Sequence, residues 1–191
     1  MKIAVFVLSL LPLLLLAWRG FHQDLGANPI EFITHATGTW TLRFLILTLA
    51  ITPLRKLLKQ PQLIRFRRML GLSAFFYGCL HLLTYLWLDK FFNLADILKD
   101  IEKRRFIMAG FTAYMAMVPL AITSTAGWIR RLGGKQWQRL HRLVYLSALA
   151  GVVHYYWLVK SDVRLPLLYG FLVSALLLYR IVLRARRSII V

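Results

Sequence analysis

Residues 69–88, MLGLSAFFYGCLHLLTYLWL, contain no Asp, Glu, Lys or Arg, and they carry one imidazole, His81, in their second half. A helix rises about 1.5 Å per residue, so a block of roughly 20 apolar residues covers the ~30 Å hydrocarbon core of a bilayer. The stretch therefore reads as a membrane span. Outward from it, similar blocks occupy roughly 3–18, 40–57, 106–123, 140–159 and 165–183. The 40–57 block holds Arg43 and Pro53. An arginine can snorkel to the headgroups, and a proline near a helix end is tolerated in lipid. The fold expected is an all-α membrane protein, a six-transmembrane-helix bundle forming one domain over 1–191.

The composition agrees: 59% of the 191 residues are hydrophobic and 17% charged, against about half and a quarter in soluble domains. The blocks leave no room for a second soluble domain, and no G-x-G-x-x-G dinucleotide motif occurs. Met1 and Lys2 followed by an apolar run to Trp18 resemble a signal peptide. Without small residues in an A-x-A pattern, the run reads as an uncleaved first span.

The net charge of +18 would suit a nucleic-acid binder, but such proteins gather their cations on one solvated face. Here they lie in short clusters between apolar blocks. Arg55, Lys56, Lys59, Arg65, Arg67 and Arg68 fall in 55–68; Arg130, Arg131, Lys135, Arg139 and Arg142 fall in 130–142; Arg180, Arg184, Arg186 and Arg187 end the chain. All seven acids (Asp24, Glu31, Asp89, Asp96, Asp100, Glu102 and Asp162) fall in the other three connections. By the positive-inside rule, both termini and the two basic loops face the cytoplasm, the partner of the surface is membrane lipid, and no nucleic acid is expected. In the 89–105 connection, Phe91, Phe92, Leu94, Ile97, Leu98 and Ile101 recur with rough helical spacing. That spacing fits either an amphipathic helix on the outer surface or a solvated loop with apolar anchors.

Of five histidines, His22 lies in an outer loop and His35, in HATGTW, just before the second span; both read as structural. His81, in GCLHLLTY, and His154, in GVVHYYW, lie well inside the third and fifth spans. Both of these helices run outward, so the two imidazoles stand roughly 18 and 21 Å from the inner ends. Two neutral imidazoles at matched depth in the outer half of the bilayer can hold one haem iron from opposite sides. Their alternative use is to hydrogen-bond neighbouring helices. With one cysteine, Cys79, no CxxCH attachment exists, so a haem would be held by its axial ligands alone.

His141, in WQRLHRLVY, lies 13 residues before His154 near the cytoplasmic mouth, about 20 Å along the axis and about 140° around a straight helix. Counting back the same distance from His81 gives Arg68 and Arg67, which are not haem ligands. A basic pair at that level suits a phosphate, such as that of a flavin nucleotide, or a haem propionate. The positive-inside signal alone also accounts for it.

The blocks LTLAITPLRKLLKQPQLIRFRRMLGL (47–72), FFYGCLHLLTYLW (75–87), AITSTAGWIRRLGGKQWQRLHRLVYL (121–146) and VVHYYWLVKSD (152–162) resemble the MsrQ (YedZ) family. These are the haem-binding subunits of bacterial protein-methionine-sulfoxide reductase systems. More distantly the chain is similar to the ferric-reductase transmembrane domain family. The resemblance implies a multi-pass cytochrome b of the bacterial inner membrane. It would take electrons from the quinone pool or a cytoplasmic flavin reductase and pass them to MsrP, a periplasmic molybdenum enzyme that reduces methionine sulfoxide in oxidised proteins. The reduction itself would belong to the partner. The resemblance also implies haem b, one or two, and FMN, and it matches His81, His141 and His154 to the family's histidines. Arg67 and Arg68 depart from the wider two-haem pattern. The rival readings are a different ferric-reductase-like cytochrome b, a transporter or proton pathway using intramembrane histidines, and a non-redox anchoring subunit. A proton pathway would want acids within the spans, where none occurs.

Overall fold

A computed structural model describes residues 2–189, with eight α-helices and no strand among them. They are α1 (Lys2–Phe21), α2 (Pro29–Leu57), α3 (Ile64–Leu83), α4 (Leu94–Lys103), α5 (Arg105–Ile122), α6 (Ala126–Leu140), α7 (Leu143–Leu158) and α8 (Arg164–Ile189). A 3-10 turn at Pro61–Leu63 leads into α3, and a π-helical turn at Thr84–Asp89 extends it. The side chains of Arg184, Arg186 and Arg187, counted above with the basic tail, lie outside the described ones.

Five apolar segments are long enough to cross a membrane: α1, α2, Pro61–Asp89, α5 and Arg164–Leu183 of α8. The sixth, α7, has 16 residues, about 24 Å of helix. It is short because the block at 140–159 is interrupted by a turn at His141–Arg142. The basic segment before that turn is itself helical, as α6, with Gly133 at φ 70° breaking its middle. α2 begins at Pro29, well before the apolar block at 40. Asn28 caps it by accepting from the Glu31 amide (3.3 Å), and Pro29 at its first position needs no donor.

Lipid is as apolar as leucine, so close packing and internal hydrogen bonds hold such a bundle together. α2 packs along α3, and α5 along α7. Phe44, Leu49, Tyr77, Ala148 and Val173 fill the core between them. Ser147 Oγ, fully buried on α7, donates to the Ala113 carbonyl on α5 (2.9 Å).

The prolines inside helices have specific partners. In α1, Pro12 disturbs the ladder, and Tyr77 of α3 enters the gap. Its hydroxyl donates to the Ser9 carbonyl (2.9 Å) and accepts from the Leu13 amide (3.1 Å). In α2, Pro53 cannot donate to the Leu49 carbonyl one turn back. Arg180 of α8 donates to it instead, through Nη2 at 2.8 Å. Arg43 does not simply snorkel: its Nε donates to the Tyr169 hydroxyl of α8 (2.9 Å), and its guanidinium lies over the Trp40 ring.

The 89–105 connection forms the amphipathic helix α4, with Ile97 buried and Leu94 and Leu98 exposed. Phe91 and Phe92, both exposed, take left-handed backbone conformations (φ 47° and 57°) just before it. Ion pairs hold this segment in place. Lys90 Nζ meets Asp100 at 2.7 Å, Arg104 Nε meets the same carboxylate at 3.3 Å, and the Tyr85 hydroxyl donates to it at 3.3 Å.

Candidate haem centre

α3 and α7 carry His81 and His154 to the same cavity, of about 290 Å³, lined mainly by α2, α3, α5 and α7. The two imidazole rings stand 5.9 Å apart, centre to centre, with their planes at 74°. His81 Nδ1 donates to the carbonyl of Thr34 on α2 (2.9 Å), and His154 Nδ1 donates to the carbonyl of Phe106 on α5 (2.6 Å). A carbonyl can only accept, so both Nδ1 atoms carry the hydrogen and both Nε2 atoms keep a free lone pair. A backbone carbonyl on the second ring nitrogen is the usual support of a metal-ligating histidine.

The remaining lining suits a flat apolar group. Leu42, Leu45, Ile107, Phe111 and Met117 contribute apolar surface, and among the lining residues only Asp89 and Arg104 carry a formal charge. Two trans imidazoles bonded to one metal at roughly 2 Å have ring centres about 6 Å apart. The observed separation matches that distance. Among the described residues no cluster of three or more His, Cys, Asp or Glu side chains exists, so a metal here would need ligands of its own beyond these two. A porphyrin supplies four, and the donor set fits it.

His35, on α2, lines the rim of this cavity and is exposed. His22 is away from it, donating through Nδ1 to the Trp18 carbonyl (2.9 Å) and lying tilted against the Trp18 ring.

His141 stands apart from the pair, in the turn between α6 and α7, so the angle around a straight helix does not apply to it. The Trp137 ring stacks on it at 3.8 Å. Its Nε2 lies 3.1 Å from Thr123 Oγ1, whose own hydrogen goes to the Pro119 carbonyl at 2.6 Å. Nε2 therefore donates to the threonine hydroxyl, and Nδ1 carries the lone pair: the reverse of His81 and His154.

Arg67 and Arg68, neighbours in sequence, diverge in space. Arg67 is half-buried and within electrostatic reach of His141, Tyr145 and Arg180. Arg68 is exposed and lines a different cavity, beside α1, with Lys2, Arg65 and Tyr77. The companion of Arg67 is Arg180, which sequence counting left among the tail charges. Its Nη1 donates to the Tyr145 hydroxyl (2.9 Å) and its Nη2 to Thr52 Oγ1 (3.2 Å) as well as to Leu49, while its buried Nε has no protein partner. The signal for it was present in sequence, as a charged residue inside the apolar run LLLYRIVL.

The model of the ferric reductase like transmembrane component matches residues 37–152, which include His81 and His141. The protein-methionine-sulfoxide reductase heme-binding subunit MsrQ of Herminiimonas arsenicoxydans is 55% identical over 182 residues, covering 94% of this chain and 84% of the relative. The subunit of the same name from Azospira oryzae is 55% identical over 186 residues, covering 97% and 80%. That of Caulobacter vibrioides is 51% identical over 177 residues, covering 93% and 84%. The chain belongs to the MsrQ family. In this MsrQ chain the family-model match begins at Thr37 and ends at Val152. Thr34, whose carbonyl orients His81, and His154 itself lie just beyond its two ends.

Proposed function

We propose that this chain is the haem-carrying membrane subunit of a protein-methionine-sulfoxide reductase system, passing electrons across the bacterial inner membrane. The observation that carries the reading is the pair His81 and His154, with ring centres 5.9 Å apart and both Nδ1 atoms tied to backbone carbonyls. These two residues would hold haem b as axial ligands, and the haem would supply one-electron chemistry. The protein's part is to fix both tautomers, orient both rings and keep water from the iron with the apolar cavity wall.

The cavity's charged rim, Asp89 and Arg104, belongs to the connection that carries acids, so the haem would lie toward the periplasmic side. Both termini would then face the cytoplasm. The electron acceptor would be a periplasmic MsrP-like molybdenum reductase, on which methionine sulfoxide is reduced, and the donor the quinone pool or a cytoplasmic flavin reductase. An outer-half haem leaves much of the ~30 Å core uncrossed. We therefore assign an inner redox group, FMN or a second haem, to the region of His141 and Arg67. Arg67 and Arg180 form a cationic pair there that suits a phosphate or a propionate. Arg68 is the more distant candidate, since it opens toward α1.

The test is an absorption spectrum of the purified chain with haem available during expression. A reduced b-type spectrum that is lost in His81→Ala and in His154→Ala supports the reading. A colourless, folded wild type would sink it. The haem-to-protein ratio by pyridine haemochrome then decides between one haem with FMN and two haems.

A further inference from the structure

Each histidine of the pair rests on a glycine of the neighbouring helix, and the two seats are built alike. On α2, Gly38 follows Thr34 by one helical turn; on α5, Gly110 follows Phe106 by one turn. In each case the imidazole donates to the carbonyl of the first residue and lies against the Cα of the second. A Cβ placed on Gly38 would stand 2.9 Å from Cε1 and 3.0 Å from Nδ1 of His81. A Cβ on Gly110 would stand 2.8 Å from Nδ1 and 3.0 Å from Cε1 of His154.

These are not contacts with the loose ends of flexible side chains. The atoms that would be struck belong to the ring edge that makes the hydrogen bond. In a helix, the carbonyl of residue i points along the axis toward the amide of residue i+4 and is screened on its outer side by the i+4 side chain. A residue without Cβ leaves room for a whole ring edge to lie over that carbonyl from a neighbouring helix. The same device, carbonyl at i and glycine at i+4, occurs once on each side of the cavity.

We propose that Gly38 and Gly110 are positioning residues for the two axial ligands. They open one helix carbonyl each to Nδ1–H and thereby aim both Nε2 atoms at the iron. The inference rests on the haem reading above and deepens it. A carbonyl acceptor on Nδ1–H makes the imidazole a stronger donor to the metal. Stronger donation favours the ferric state, so the intact seats hold the midpoint potential down. A Cβ at either seat displaces the ring from its carbonyl, weakens the donation and raises the potential.

Two experiments on the full-length, haem-loaded chain test this. In the first, Gly38→Ala and Gly110→Ala are compared with wild type by spectroelectrochemistry and low-temperature EPR. Gly71→Ala serves as the control, since a Cβ there would sit at an ordinary 3.7 Å from Thr48. The seat variants should show an upward shift in potential and altered low-spin g values, and the control should show neither. In the second, His81→Gly is loaded with haem in the presence of added imidazole or 1-methylimidazole. Imidazole has an N–H to give the Thr34 carbonyl, and the methylated ring has none. Imidazole should restore the low-spin spectrum at a concentration at least tenfold lower. Unchanged potentials in both folded seat variants overturn the proposal, and so does equal rescue by the two ligands. If a seat variant does not fold, the rescue comparison decides alone. A wild type that binds no haem would overturn the haem reading itself, a different result from either of these.

Discussion

Arg180→Gln tests the inner site most sharply, because the structure gives that residue two separable duties. Its Nη2 satisfies the Leu49 carbonyl that Pro53 leaves free, and its charge faces Arg67 with no carboxylate among the described residues beside either. Two guanidinium groups that share a low-dielectric pocket repel one another, and an anion between them removes that penalty. Glutamine keeps an amide able to donate to Leu49 and discards the charge, so the helix contact survives while the anion contact weakens. A hydrogen bond to a charged group contributes about 1.5–3 kcal/mol. At about 1.4 kcal/mol per tenfold, the inner group should bind roughly tenfold to a hundredfold more weakly. The assay is retention of FMN, or of the second haem equivalent, during titration and dilution of the purified chain, with the His81/His154 haem spectrum as internal reference. Arg67→Gln should behave alike, and Arg68→Gln, which opens toward α1, should not. Unchanged inner binding in Arg180→Gln with a large loss in Arg68→Gln would refute the assignment. So would loss of the outer haem with the inner group intact.

Three further outcomes follow from the structure. Tyr77→Phe removes the hydroxyl that bridges the Ser9 carbonyl and the Leu13 amide beside Pro12, at a cost of about 0.5–1.5 kcal/mol for each hydrogen bond lost. Thermal unfolding should fall accordingly with the haem spectrum unchanged, and an unaltered melting profile would contradict the inserted-hydroxyl reading. Asp100 is pushed up by burial, but the hydrogen bond from Lys90 and the charges of Arg104 and Lys90 outweigh this and hold it below its ordinary value. Lys90 is held above its ordinary value, first by its hydrogen bond to Asp100. The depressed carboxylate stabilises the α4 region above the usual acid range and loses that effect as pH falls through its lowered pKa; the ammonium loses its effect only as pH rises through its raised one. Amide exchange in α4, corrected for intrinsic rate, should therefore be flat between about pH 4 and 10 and should quicken at neutral pH in Asp100→Asn. Thr123→Val removes the acceptor of His141 Nε2. It should alter the inner group's spectrum or retention and leave the outer haem's unchanged.

What sequence patterning revealed, and what it did not, divides along physical lines. Hydropathy over some twenty residues finds a helix in lipid because lipid leaves the backbone no other partner, and matched depth along two helices needs only the rise per residue. That much brought His81 and His154 together from the sequence. The Gly38 and Gly110 seats were not legible, because a glycine four residues after an unremarkable carbonyl carries meaning only once another helix brings a ring edge to it. The pairing of Arg67 with Arg180 was hidden for a similar reason. Adjacent Arg67 and Arg68 look like one basic patch, yet neighbours on a helix point about 100° apart, so one faces inward and the other faces α1. The missing companion came from a residue more than a hundred positions away, drawn in by the carbonyl that Pro53 releases. Placing His141 failed at the helix break: a wheel projection assumes a continuous helix, and the turn at His141–Arg142 removes that assumption at the residue in question. In each case the error lay in carrying a local, periodic rule across a point where a proline, a glycine or a turn had handed control of the backbone to a neighbouring helix. Those are also the points at which the groups we assign to the cofactors are held.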